Sequence, residues 1–361
     1  MARMAAKPVY SGKIDPLLGE QLYAAATVNG GMVTSFDPAD IPDEALSFAR
    51  NVRCRFDKTS RRFGYSAFSP ADSDTAVVVG LATFKLDNGN VYLVKLRAAG
   101  PRFTDFTAWF APTGTALTGA SSDRFSTVVT QNLFIFANNG VDFIQQLTIG
   151  SPGTFARLGN APKAKFVTGF YNRVIAANYT AGGTPTTIGW SGDTNPTVWD
   201  TATDPSAGSS PLFESPGDES DYITGVHGFT NVMVVMRERS IWIASKQPIG
   251  TAPFYFYSAI AGVGCNCPYS LVVLPDGLAW VDLATGSVWA YQLGGQPERI
   301  GLPVEKTLVS GITDPTQVFG SYSGKNNEAT WGSIQAGTNV RRLWTYNFRS
   351  KAWAIEDIPD I

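Results

Sequence analysis

Histidine is almost missing: His227 is the single one in 361 residues, and cysteine is limited to Cys54, Cys265 and Cys267. That scarcity removes most triad chemistry and most zinc chemistry. Cys265 and Cys267, separated by one residue, would supply two thiolates or a small strained disulfide. A zinc site needs four ligands, and one histidine cannot complete it, so the two read as buried or semi-buried thiols. Three cysteines form no complete disulfide framework, which fits a reducing cytoplasm. Charge is also sparse: Asp, Glu, Lys and Arg make up 16% of the chain, against roughly 25% in ordinary soluble domains. Low charge hints at a surface covered by other subunits. The net charge of −2 supplies no basic field to recruit nucleic acid. No window approaches the ~18 apolar residues of a membrane span. Met1–Gly12 lacks the apolar stretch of a secretory signal, so the expectation is a soluble chain without membrane insertion.

What is present points to β structure. Hydrophobic residues reach 44%, aromatics 12%, and there are 36 Gly and 22 Pro, a mixture suited to many short strands joined by tight turns. Residues 1–48 read as an N-terminal arm, broken by Pro38 and Pro42, with a brief helix expected at Ala45–Phe48. From 49 to 361, hairpin signals recur. Ala82–Leu86, preceded by Val77–Val79, turns at Asp87-Asn88-Gly89-Asn90 into Val91–Val94. Leu133–Phe136 turns at Asn138-Asn139-Gly140, Val232–Met236 at Arg237–Ser240, and Leu278–Val281 at Ala284–Ser287. Asn-Gly and Thr-Gly supply the positive φ that such turns need.

These hairpins return every ~40 to 55 residues, a repeat spacing. Six units follow: Thr75–Phe110, Arg124–Leu158, Lys165–Trp199, Asp221–Tyr257, Tyr269–Ile300 and Phe319–Ile355. Each holds three or four strands, with Gly/Pro-rich crossings such as Gly114–Gly119 between them. A small sheet buries its faces only against neighbours, and a circle of sheets leaves few edges. The sequence therefore predicts an all-β fold, a β-propeller of about six blades of mostly four-stranded antiparallel sheets. Two stacked β-sandwiches would explain the strands but not the spacing.

Catalytic constellations are scarce. A glycosidase needs two carboxylates about 5 to 10 Å apart, but Asp87, Asp142, Asp193, Asp276 and Asp282 all fall in turns, where capping explains them. Ser191-Gly192-Asp193-Thr194-Asn195-Pro196-Thr197 partly mimics the aspartate box of sialidase propellers. Asn195 replaces its glycine, Trp199 falls one residue late, and the box is itself a structural turn. His227, at the entrance of an apolar strand without a Ser or Cys elbow nearby, reads as a hydrogen-bonded structural residue. Gly262-Val263-Gly264 and Gly294-Gly295 lack the lysine and helix of a phosphate loop. No enzyme activity, cofactor or metal is expected. One charge cluster stands out: Arg50, Arg53, Arg55, Lys58, Arg61 and Arg62, with only Asp57 among them. It reads as a hairpin paired with acids of the arm, or as a docking surface between subunits. Trp109, Trp199, Trp331 and Trp353 would stack on sugars if exposed, or fill blade packing if buried.

Several stretches resemble bacteriophage tail proteins of the podovirus nozzle or hub type, the propeller family once called stabilisation proteins. Asn51-Val52-Arg53 followed by Arg62-Phe63-Gly64-Tyr65 is similar to their lead into the first blade. Trp190-Ser191 with Pro196 and Trp199 is similar to a later stretch, Asp221–Gly225 with Arg239–Trp242 to the next blade, and Leu343–Phe348 with Trp353 to the last. The resemblance covers about two thirds of the chain, from Ala45 onward. It implies a structural virion protein of the tail that forms a ring with its own copies, commonly a hexamer, below the portal and adaptor. Such a ring closes the DNA exit after packaging and becomes the ejection conduit, with genomic DNA passing without sequence recognition. The chain is shorter than the usual nozzle, leaving little room for a tip. A propeller that docks tail fibres or spikes, or binds host-surface glycan, is the alternative.

Overall fold

In a computed structural model of the protein, the described residues are 30–37, 40–42, 45–47, 51–55, 58–61, 70–150, 152–213, 218–247, 252–334 and 341–358. They form six antiparallel blades arranged as a β-propeller. In chain order, an isolated hairpin of β1 (Val52–Arg55) and β2 (Lys58–Arg61) comes first. Blade one is β3 (Gly80–Lys85), β4 (Val91–Leu96), β5 (Arg102–Thr104) and β6 (Trp109–Phe110). A two-residue β7 (Thr113–Gly114) then runs parallel along the outer edge of blade two: β8 (Phe125–Thr130), β9 (Leu133–Asn138), β10 (Gln145–Thr148) and β11 (Thr154–Arg157). Blade three is β12 (Lys163–Phe170), β13 (Arg173–Ala181), β14 (Thr187–Trp190) and β15 (Gly208–Pro211). Blade four is β16 (Ile223–Gly228), β17 (Val232–Arg237), β18 (Ser240–Lys246) and β19 (Phe254–Ala261). Blade five is β20 (Val272–Leu274), β21 (Gly277–Asp282), β22 (Ser287–Gln292) and β23 (Glu298–Arg299). Blade six is β24 (Phe319–Ser323), β25 (Glu328–Ile334), β26 (Arg341–Asn347) and β27 (Ala352–Ile358). Helix α1 (Glu305–Gly311) is the only α-helix among the described residues. Each of the six units expected from the spacing falls on one sheet, though the unit ending at Trp199 leaves out β15, which completes blade three.

The chain divides into two compact units. Ser66–Cys265 holds blades one to four. Within it, one apolar cluster is almost wholly aromatic, with Phe84, Phe103, Phe134, Phe136 and Phe155 around Val94, Leu96 and Leu147. A second is aliphatic, built on Ile135, Ile144, Leu158, Val167, Val174 and Ala176. The other unit, Met1–Tyr65 with Asn266–Ile361, holds the β1–β2 hairpin, α1 and blades five and six. Its core gathers Trp331, Trp344 and Trp353 with Val281, Val288, Leu308 and Val318. Burying each large side chain contributes about 1.5–3 kcal/mol, so these alternating strand faces supply most of the drive to fold.

Local expectations fail in four places. The brief helix at Ala45–Phe48 does not form over its described part: Leu46 instead makes a parallel bridge to Met32, and Phe48 lies outside the described residues. The arm's apolar residues find partners in their own unit, because Met32 is 1% exposed within the blade-six core and its N–H donates to the Trp353 carbonyl at 2.8 Å. Gly31 permits this approach, since a Cβ there would lie 2.7 Å from the Trp353 nitrogen and its φ is +75°. Gly114 is strand rather than crossing, because only a glycine can lie against Phe155, whose carbonyl oxygen a Cβ would meet at 2.4 Å. Val77 and Val78 are exposed and precede the first strand. Finally, the Asn138-Asn139-Gly140 turn opens a six-residue loop between β9 and β10, where Asn138 Oδ1 accepts from the Asp142 N–H at 3.0 Å. The tight hairpin lies on the other side of β9, at Gln131-Asn132.

Candidate functional site

In blade six, residues directly opposite one another across antiparallel strands share a face. Tyr322 on β24 faces Ala329 on β25, Ala329 faces Tyr346 on β26, and Tyr346 faces Trp353 on β27. The row is therefore aromatic, small, aromatic, aromatic. Phe348, two residues past Tyr346, meets Tyr346 edge-on at 5.0 Å and Tyr322 edge-on at 6.4 Å. Tyr346 also packs at 4.9 Å from Trp353, whose indole is anchored through its N–H on the Ile300 carbonyl at 2.9 Å.

Blade five closes the other side of this row, leaving a groove of about 670 Å³. Asp276, from the β20–β21 turn, stands at its rim and accepts from Gln292 Nε2 at 3.3 Å. Glu298 on β23 and Lys351 from the β26–β27 turn complete the charged lining. Tyr322 donates its hydroxyl proton to Asn327 Oδ1 at 2.6 Å, and both residues line the groove. Tyr346 is 6% exposed and lines the groove. Burial, helped by the nearby Glu298 charge, pushes that phenol up to about 12. It therefore keeps its proton at any physiological pH and remains a donor.

Several charged groups elsewhere are tied into the fold. Arg53 reaches from β1 to two buried carboxylates of blade six, with Nη1 3.1 Å from Glu328 Oε2 and Nε 2.6 Å from Glu356 Oε1. In blade one, Asp72 pairs with Lys95 and with Arg102 at 3.1 Å, and Asp74 pairs with Arg97. Burial raises the Asp72 carboxyl, but the Lys95 hydrogen bond and the neighbouring charges outweigh it and hold the group below the usual range. Arg173 donates through Nη1 to the Ser191 and Ser206 carbonyls, both at 2.7 Å. Buried Arg237 donates through Nε to the Asp221 carbonyl at 2.6 Å, while the Asp221 carboxylate accepts from Ser240 Oγ at 2.5 Å. Among the described residues, no three His, Cys, Asp or Glu side chains converge as metal ligands would.

Four of the motif residues come together in the β14–β15 loop. Ser191 Oγ accepts from the Val174 N–H at 3.0 Å, Trp190 Nε1 donates to the Ser206 carbonyl at 3.1 Å, Pro196 is buried, and the Trp199 N–H donates to Asn160 Oδ1 at 2.9 Å. These bonds make the stretch a structural turn. Asn51, with φ +58°, donates its N–H to the Ile355 carbonyl at 2.8 Å and so docks β1 onto β27. Arg62, Gly64, Tyr65 and Arg50 lie outside the described residues, as do the side chains of Arg55, Lys58 and Arg61. The one described side chain of that basic cluster, Arg53, finds its acids in blade six rather than in the arm. Trp331 and Trp353 are fully buried, while Trp109 and Trp199 are partly exposed. Trp109 carries the Lys95 ammonium 4.8 Å from its ring centre. His227 stands edge-on to Phe229 at 4.7 Å, without the side-chain hydrogen bond expected of it among the described residues. All three cysteines are buried thiols outside any disulfide. Sequence reasoning overlooked the groove; the one available signal was the Tyr346-x-Phe348 alternation at the end of a strand.

No known protein family matches the sequence, and no curated protein does. Similarity appears only among solved structures, and it is to propellers. The chain resembles a streptogramin B lyase with a TM-score of 0.51 and 13% identity, over 80% of this chain and 86% of that one. A catalytically inactive virginiamycin B lyase from Staphylococcus aureus with quinupristin gives 0.45 and 12%, over 77% and 83%. The Neurospora crassa Pan2 WD40 domain gives 0.43 and 10%, over 81% and 83%. At such identities the likeness is one of fold.

Proposed function

We propose that this chain is a structural protein of a bacteriophage tail, a nozzle or hub that forms a ring of its own copies, commonly six, below the portal and adaptor. In this reading the ring closes the DNA exit after packaging and becomes the conduit during ejection. The role is architectural and not catalytic. What supports it is the ordered set of motifs running from Asn51-Val52-Arg53 through Trp190-Ser191 and Pro196 to Trp344 and Trp353. Their residues serve as docking points, turns and core in the fold, which is the use a scaffold protein has for them. Arginines engaged internally, as Arg53, Arg173 and Arg237 are, also suit a surface that must not grip DNA.

Imaging of intact particles tests the reading directly. The expected result is a ring of this protein on the tail axis, next to the head–tail connector; a location on the capsid, or absence from the virion, would end it. The arm is the candidate for gripping a neighbouring copy or the adaptor. Deleting Met1–Ile14 should reduce incorporation into tails, and normal incorporation would dismiss that role.

A further inference from the structure

We propose that the groove between blades five and six is a binding site for a neutral saccharide of one or two residues. Its size falls within the roughly 300–1,000 Å³ of small-molecule sites. Tyr322 and Phe348, both half-buried and edge-on to one another, offer ring surface against which the C–H face of a sugar packs.

The polar groups choose the ligand class. Asp276 and Glu298 are acceptors that would repel an anion such as a phosphate or a uronic acid, and Lys351 opposes a cation. Tyr346 adds a phenol donor to the groove lining. A ligand bearing several hydroxyls satisfies carboxylates and donors together, with no net charge for either set to reject. The inference is independent of the tail assembly, since the isolated chain suffices to test it.

Titration calorimetry on the full chain, with maltose, lactose and N,N′-diacetylchitobiose as neutral probes, is the test. Glucuronate serves as the anionic probe and arginine methyl ester as the cationic one. At least one neutral sugar should bind, and neither charged probe should. Tyr346→Phe keeps the ring packed on Trp353 and removes only the hydroxyl, so it should weaken binding about five- to tenfold without lowering the melting temperature. Tyr322→Ala should weaken it at least as much. Failure of all three sugars to bind, equal affinity in Tyr346→Phe, or preference for a charged probe would each overturn the proposal.

Discussion

Arg53 shows how a residue that reads as surface charge becomes structural. Its guanidinium contacts both Glu328 and Glu356, whose side chains are 3% and 0% exposed. Removing one partner from a buried ionic group leaves uncompensated charge and costs about 3–5 kcal/mol. Arg53 keeps some solvent contact, so Arg53→Ala should destabilise by about 3 kcal/mol. Arg53→Lys should recover only part of that, because an ammonium cannot present two N–H donors in fixed geometry. Urea denaturation reads both, and a loss under about 1 kcal/mol in the alanine variant would show that the carboxylates are held by other groups. His227 carries a pH prediction. Burial holds its imidazole below the ordinary 6.5, so the unfolded chain binds the proton more readily. Stability is therefore full above about pH 6.5 and declines as pH falls toward the folded-state value, by at most about 1.4 kcal/mol per pH unit. His227→Gln should flatten the slope of stability between pH 6.5 and 5; an unchanged slope would assign acid sensitivity to carboxylates instead.

At the scale of elements, six sheets were legible because each is made from consecutive strands, so their repeat is written locally along the chain. Turn chemistry was legible only in part. Glycine marks some hairpins, such as Gly89 at φ +91° and Gly286 at +68°, but two of the tightest turns carry none. Gln131-Asn132 and Tyr171-Asn172 take positive φ at both positions, between +47° and +60°. Asn tolerates this region better than other residues with a Cβ, so an Asn after a large polar or aromatic residue was a weaker signal than Asn-Gly. Asn172→Gly should accordingly be neutral or slightly stabilising, whereas Asn172→Ala should cost about 1 kcal/mol, measured by chemical denaturation. Equal effects of the two would mean that the turn relaxes away from positive φ. The groove was illegible for a different reason. Asp276, Glu298, Tyr322 and Tyr346 come from separate strands and turns of two sheets, and only strand register brings them to one space. Arg53 hid its acids in the same way, since Glu328 lies 275 positions along the chain.

For the whole molecule, the balance of 28 basic and 30 acidic residues bears on the conduit role. Duplex binding grows with the number of phosphates neutralised and falls steeply with salt, and even non-specific binders reach dissociation constants of about 10⁻⁴–10⁻⁶ M. A conduit lining needs to stay weaker than that, because each lysine or arginine free to meet a phosphate would add friction to ejection. Internal pairing of Arg53, Lys95, Arg97, Arg102, Arg173 and Arg237 withdraws six cations from any such contact. The purified protein, and any ring it forms, should therefore leave a duplex of about 40 base pairs unshifted in a native gel at micromolar protein and about 50 mM salt, where electrostatic binding is strongest. Retention of the duplex under those conditions, lost on raising the salt, would mean that basic side chains present a phosphate-binding stripe. The protein would then hold DNA rather than let it pass, and the conduit reading would have to be given up for a DNA-gripping one.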